Sequence, residues 1–345
     1  MNLKALFSLS AIALTTVAYA QETESTPFEF SGSADAYYKY DFQKHPNIGT
    51  SFASDHNSIS LGMLDFAVKK TTGKASFLGE VSFGPRGQYQ SLLNGDNADG
   101  NSENTFHLQN LSINYAFTDN FTMTAGFMGT FVGYEVISPV GNFNYSTSYL
   151  FSAGPFQNAG IKGTYTFSPK VSLMVGLFDD WNVYKDVNGV SHFGAQLGLS
   201  PVEGWSAYLN VLTGRNAGAP GDGSLFDITT SFQVTEKVKI GLNAADYSIS
   251  NDNGGYSGAA LYLQNSFTPG FALGLRGEYF KTKDVGTVNG EVFNSITLSG
   301  NFKTGGLTFI PEVRFDKRDD DLFTKSNLSP TNQASQFSLA AVYAF

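Results

Sequence analysis

Gln336-Phe337-Ser338-Leu339-Ala340-Ala341-Val342-Tyr343-Ala344-Phe345 ends the chain, and the way these residues alternate decides the fold. Phe337, Leu339, Ala341, Tyr343 and Phe345 share one parity, with Gln336, Ser338, Ala340, Val342 and Ala344 between them. Successive side chains of a strand point to opposite faces, so the segment reads as a strand with one greasy, aromatic side. The opposite end repeats the pattern more cleanly. Phe28, Phe30, Gly32, Ala34, Ala36, Tyr38, Tyr40 and Phe42 fall on one side, and Glu29, Ser31, Ser33, Asp35, Tyr37, Lys39 and Asp41 on the other. One face suits lipid and the other suits water.

Between these ends the alternation recurs, as in Val171, Leu173, Val175, Leu177 and in Phe271, Leu273, Leu275, Gly277, Tyr279. Around 61–68, 106–117 and 259–267 the apolar phase slips, as either a bulge or a wrongly placed strand boundary would make it do. Short connections are read at 71–74, 118–120, 168–170, 200–204, 235–237, 268–270 and 303–306. Long ones are read at 43–57, 84–105, 128–160, 179–191, 214–224, 246–257, 281–291 and 316–335. Short and long alternate strictly, the asymmetry of an outer-membrane barrel with tight periplasmic turns and longer outer loops. A soluble sandwich has no reason to sort its loops this way. Seven short and eight long connections join 16 strands. The expected fold is an all-β, transmembrane antiparallel β-barrel with both termini at the short-turn side. Aromatics beside the turns, such as Phe117 and Phe121 or Tyr165 and Phe167, fit interfacial girdles, although Phe and Tyr favour strands anyway.

The N-terminus reads as a secretory leader. Lys4 precedes a mostly apolar stretch over 5–17, and Ala18-Tyr19-Ala20 has the small-x-small form that precedes cleavage. Residues 1–20 are therefore an expected signal peptide and 21–345 one barrel domain; the stretch is short for a spanning anchor. No later segment has the ~20 unbroken apolar residues of a membrane helix. With helices out, a closed barrel is the other way to satisfy backbone groups in lipid. A terminal aromatic on an amphipathic last strand resembles the tag that hands barrel proteins of Gram-negative bacteria to their assembly machinery, so Phe345 is the expected handle.

The chain has no cysteine, hence no disulfide framework or thiol chemistry. Charged residues are only 15%, against 31 Phe and 17 Tyr, a balance that argues against disorder and suits a lipid-facing wall. The net charge of −9 argues against a nucleic-acid partner and hints at cation preference in a channel, unless the acids sit in outer loops.

Charge parity supports a wet interior. Arg276 and Glu278 alternate with Leu275, Gly277 and Tyr279; Glu312 and Arg314 alternate with Pro311, Val313 and Phe315. Glu80, Lys162, Asp227 and Lys239 likewise face away from their apolar stripes. A Lys or Arg facing lipid at mid-depth costs roughly 2–4 kcal/mol, so arginine at Leu275 should impair assembly more than loss of Arg276. The connection at 128–160 is oddly apolar and aromatic, with Glu135 its sole charge. Such a segment wants burial: folded into the barrel as a constriction, or packed over a rim or subunit contact. Glu135, Arg276, Glu278, Glu312 and Arg314 are the expected pore-lining charges, with Arg86 and Lys162 as further ones.

Several stretches resemble a known family, the OmpL-like β-barrel porins of Gram-negative outer membranes. They are Ser60-Leu61-Gly62-Met63-Leu64-Asp65-Phe66-Ala67, Ser82-Phe83-Gly84-Pro85-Arg86, Val132-Gly133-Tyr134-Glu135-Val136-Ile137, Asn142-Phe143-Asn144-Tyr145-Ser146 and Ser148-Tyr149-Leu150-Phe151. The resemblance covers nearly the whole chain after the leader. It implies a pore-forming outer-membrane protein and names no solute.

Other chemistry is thin. His45, His56, His107 and His192 lie on separate segments without ligand spacing for zinc. The acidic segment 94–100 fails the EF-hand pattern, and 316–321 reads as exposed loop. No P-loop or G-x-S-x-G elbow is present. No cofactor and no enzymatic activity are expected. The leading expectation is a passive diffusion channel for small hydrophilic solutes in the outer membrane, lipid-embedded and, by analogy with other channels, a homo-oligomer. A non-conducting receptor, adhesin or structural barrel is the alternative. A hydrolase using a serine with His107 or His192 is a third.

Overall fold

Alternating sequence becomes alternating geometry in a computed structural model, which describes residues 26–86 and 106–345. The expected leader at 1–20 and the acidic segment at 94–100 lie outside the described residues. The first strands are β1 (Glu29–Asp41), β2 (Ser58–Thr72), β3 (Ala75–Phe83), β4 (Phe106–Thr118) and β5 (Phe121–Gly129). They are followed by β6 (Gln157–Ser168), β7 (Val171–Trp181), β8 (His192–Leu199), β9 (Trp205–Gly214) and β10 (Gly223–Gln233). Then come β11 (Val238–Ile249), β12 (Gly255–Thr268), β13 (Phe271–Thr282), β14 (Val292–Thr304) and β15 (Leu307–Arg318). A small ladder, β16 (Phe323–Thr324) with β17 (Pro330–Thr331), sits in the last long loop before β18 (Gln333–Ala344).

Each barrel strand pairs antiparallel with its chain neighbours, and β18 pairs with both β15 and β1 to close the ring. Ala36 opposes Ala341 and Lys39 opposes Ser338 across that seam. The final residue completes it: the Phe345 N–H donates to the Gly32 carbonyl at 3.0 Å, and the Gly32 N–H returns the bond at 3.1 Å. Among the described residues the barrel sheet has no free edge, which is the condition for crossing hydrocarbon with strands.

The parity expectation holds across β13–β15. Leu275 is 42% exposed and Phe315 is 55%, while Arg276 and Arg314 are 0% exposed on the inner side. Outer aromatic pairs sit beside the short turns: Phe267–Phe271, Phe271–Phe302, and Tyr165–Phe167.

Two of the three phase slips are true irregularities. The β1–β2 register shifts between Ala34 and Ala36, across from Gly62 and Met63, and the β3–β4 register shifts between Glu80 and Val81. The slip at 259–267 has a different cause. There the β11–β12 ladder is unbroken through Asn265, and a shift against β13 comes only between Ser266 and Thr268. Ala260 and Tyr262 break the pattern because they point inward and are still apolar, packed under the long loop. The segment at 316–321 also differs from expectation. Strand β15 runs on through Arg318, and Asp316 is buried, because the alternation set by Val313 and Phe315 carries it to the inner face.

Candidate functional site

The wall is polar inside, yet the loop at 130–156 is not left outside it. After β5 the chain turns into the lumen and crosses to the far strands. It forms a single 3-10 turn at Pro139–Gly141 and a short helix α1 (Tyr149–Ala153) before rejoining the wall as β6. The Ser148 hydroxyl caps the helix by accepting from the Phe151 N–H at 3.0 Å.

An interior stretch without regular partners must find acceptors for its N–H groups and donors for its carbonyls. Strands β13–β15 supply both. Glu312 accepts the N–H groups of Tyr145 (2.8 Å) and Ser146 (3.1 Å), one on each oxygen. Glu278 takes those of Tyr149 (3.0 Å) and Leu150 (2.9 Å) in the same two-pronged manner. Between these two grips the guanidinium groups hold the carbonyls. Arg276 donates to the Ser146 oxygen at 2.7 Å, and Arg314 to the Thr147 oxygen at 2.7 Å. Each arginine also has a carboxylate: Arg276 meets Glu135 of the loop at 2.5 Å, and Arg314 meets Asp316 at 2.8 Å. Glu135 folds the loop on itself as well, accepting from the Ser148 N–H and hydroxyl at 2.7 and 2.8 Å. Two phenols reach outward, Tyr145 to Asp35 at 2.5 Å and Tyr149 to Asp316 at 2.6 Å. Burial pushes both phenols well above the ordinary tyrosine range, so they act as neutral donors.

Packing follows the same logic. Side chains at Gly241 and Gly274 would overlap the Tyr134 hydroxyl and the Phe143 ring, so these wall positions are empty seats for loop aromatics. Tyr134 stacks on Tyr262 with ring centroids 4.4 Å apart. Towards the long-loop end, Val132, Tyr149 and Leu150 join Phe178, Leu212 and Phe280 from the wall in one apolar cluster.

Six of the seven sequence-derived site residues meet at this loop. Arg276, Glu278, Glu312 and Arg314 hold it from the wall, Glu135 holds it from within the loop, and all five are buried. Arg86 donates to the Ile137 carbonyl at 3.2 Å, lies 3.8 Å from Asp35, and faces the rings of Phe52 and Tyr145 at 4.6 and 4.8 Å. Lys162 stands apart on the inner face of β6, and no ion pair joins it to the cluster among the described residues. Sequence reasoning missed Asp35, Asp316, Tyr145 and Tyr149 as members. The parity of Asp35 was visible, but parity names a face and not a partner. The stretches that carry the family resemblance converge here too: Gly62 lies against the Asp35 carboxylate, and Arg86, Glu135, Tyr145 and Ser148 all belong to the grip.

Two histidines bear on other chemistry. His56 lies 3.2 Å from Asp41. Ser191 lies 2.8 Å from His192 Nδ1 and donates to Asp180, which is itself 3.8 Å from that same nitrogen. Acid and hydroxyl thus crowd one ring nitrogen, whereas a serine relay places them on opposite ones.

On the short-turn side of the loop lies a cavity of about 740 Å³. Tyr134, Tyr208, Gln196, Gln264, Lys239 and Lys303 are among its lining residues, and it reaches Gly305 and Gly306 at a short turn.

A closed ring of 16 antiparallel strands, apolar without and polar within, holding a loop in its lumen, defines the porin class of outer-membrane barrels. Residues 27–345 match the family described as "Putative beta-barrel porin-2, OmpL-like", and the chain belongs to that family. Among solved structures it is similar to an anion-selective porin from Comamonas acidovorans, with a TM-score of 0.62 at 12% identity, covering 93% of this chain and 100% of that one. It is similar to OprB of Pseudomonas putida, with a TM-score of 0.62 at 14% identity, over 92% of this chain and 94% of that one. The trimer form of in-vitro folded OmpT of Vibrio cholerae gives 0.59 at 12% identity, over 93% and 99%. At these identities the likeness is one of fold. No curated protein matches the chain. Fold and family together place the protein in the outer membrane.

Proposed function

We propose that the protein is a passive diffusion channel for small hydrophilic solutes, with the loop at 130–156 as its constriction. One observation carries this reading: the loop is strapped across the lumen by paired carboxylates and guanidinium groups, above a polar cavity that reaches the short-turn end. Polar groups fixed at a narrowing select solutes by size and charge, with no catalytic step. The outer band contacts lipid, Phe345 is the handle for the assembly machinery, and the barrel works as a homo-oligomer. Ion current through purified barrels in planar bilayers tests the reading. Small, discrete conductance steps are expected, and they should grow when Glu312→Ala frees the N–H groups of Tyr145 and Ser146. A folded barrel that passes no ions defeats it.

A specific observation favours the second reading, a non-conducting barrel. The apolar cluster of Phe178, Leu212, Leu225 and Phe280 with the loop's Tyr149 and Leu150 fills inner space where a general channel keeps water. In that case wild type is silent and removal of the loop opens it.

A further inference from the structure

We propose that the cavity beneath the loop is a binding station for a small hydroxylated carboxylate of the sugar-acid kind, with Lys239 as its charge contact. The cavity itself is part of the proposed channel, but the occupant and the residue that fixes it are new, and binding can be measured whether or not ions pass.

Among the described residues, the lumen charges near the loop are already engaged. Arg276 faces Glu135, Arg314 faces Asp316, and Glu278 and Glu312 each hold two backbone N–H groups in dry contact. Lys239 is different. It faces the cavity from β11, and among the described residues no carboxylate pairs with it or with Lys303. Among the described lining residues the one carboxylate, Glu135, is committed to Arg276 and Ser148. Charges beyond about 8–10 Å are largely screened in a salt-filled space, so what an entering solute meets is the local excess of positive charge. That outcome runs against the acidic balance of the whole chain.

The neutral groups around Lys239 fit a polyol. Gln264 stands directly across the ladder from it and offers both a donor and an acceptor. The hydroxyls of Ser206 and Ser231 pair with each other at 3.2 Å on the adjoining wall. Tyr134 lies over Gly241, two residues along the same face, so a ring borders the charge. A carboxylate on the ammonium, hydroxyls on the amide and serines, and a carbon face against the tyrosine ring use all of these at once. A volume of about 740 Å³ falls within the usual range for small-molecule sites, roughly 300–1,000 Å³.

The test is titration of the detergent-folded barrel with sodium gluconate, using sorbitol as the neutral control, followed by saturation-transfer NMR and calorimetry. Wild type should bind gluconate and ignore sorbitol over the same range. Lys239→Gln should weaken gluconate by about tenfold or more, the scale of one lost charge-assisted hydrogen bond, and Lys239→Arg should restore most of it. Lys239 takes no part in holding the loop, so both variants should fold. Equal uptake of gluconate and sorbitol, no uptake of either, or gluconate binding untouched by Lys239→Gln each overturns the proposal. Gluconate bound by a barrel that passes no ions would sink the channel reading and leave the station standing.

Discussion

At the scale of single residues, neighbours of opposite parity in one strand answer to different equilibria. Leu275 faces lipid and Arg276 faces the loop. Leu275→Arg places a guanidinium in hydrocarbon at a cost of roughly 2–4 kcal/mol, paid when the strand inserts. Arg276→Leu takes the guanidinium from Glu135 and the donor from the Ser146 carbonyl, while Thr147 keeps Arg314 and Glu135 keeps Ser148; breaking a buried pair from one side costs about 3–5 kcal/mol. That second cost need not fall on the barrel, because the loop can lift away and return Glu135 to water. We therefore expect Leu275→Arg to reduce the yield of folded barrel in lipid vesicles. Arg276→Leu should fold near the wild-type yield but expose the loop to limited proteolysis. Equal losses of folding yield would mean that the barrel cannot close without the docked loop.

At the scale of elements, the loop at 130–156 behaves as an irregular insert that borrows many of its hydrogen-bond partners from wall side chains. Its docking can be fixed covalently, because the chain has no cysteine of its own. The Asn144 amide donates to the Ser299 hydroxyl at 2.7 Å, joining the loop to β14. A double variant, Asn144→Cys with Ser299→Cys, should form a disulfide on mild oxidation in the folded barrel and not in urea, read by mass spectrometry of proteolytic fragments. Failure to crosslink in the folded state would count against the docked position. This element also marks the limit of what was legible in the sequence. Period-two patterning located the wall strands, and loop lengths separated the two ends, because both rest on local chemistry. Apolar composition suggested that the loop is buried. The grip was not legible: Glu135 and Arg276 are 141 positions apart, and a carboxylate that binds two backbone N–H groups leaves no trace in side-chain pattern. Ala260 and Tyr262 disturb the period-two pattern for the same reason, since an inward apolar residue makes sense only once the loop is known to cover it.

At the scale of the whole molecule, closure depends on the seam between the first and last strands, and there the seam role of Phe345 can be separated from its proposed role as an assembly handle. Its backbone makes two hydrogen bonds with Gly32, after a ladder that already runs from Asp41–Gln336 to Ser33–Ala344. Removing Phe345 therefore takes away the end of an otherwise intact seam, a loss of about 1–3 kcal/mol at typical net values per bond. Many other paired strands keep the cylinder shut, so a purified chain lacking Phe345 should refold in detergent with nearly wild-type yield and the same strand-rich circular dichroism. Recognition by assembly machinery has no such redundancy if the terminal aromatic is what it reads. In cells the same truncation should lower the amount of folded barrel in the outer membrane severalfold, with replacement by Tyr or Trp restoring it and replacement by Ala not. A matched loss in both settings would assign Phe345 to seam strength alone. A loss in neither would leave the final aromatic as one more member of the lipid-facing band, equivalent to Tyr343 beside it.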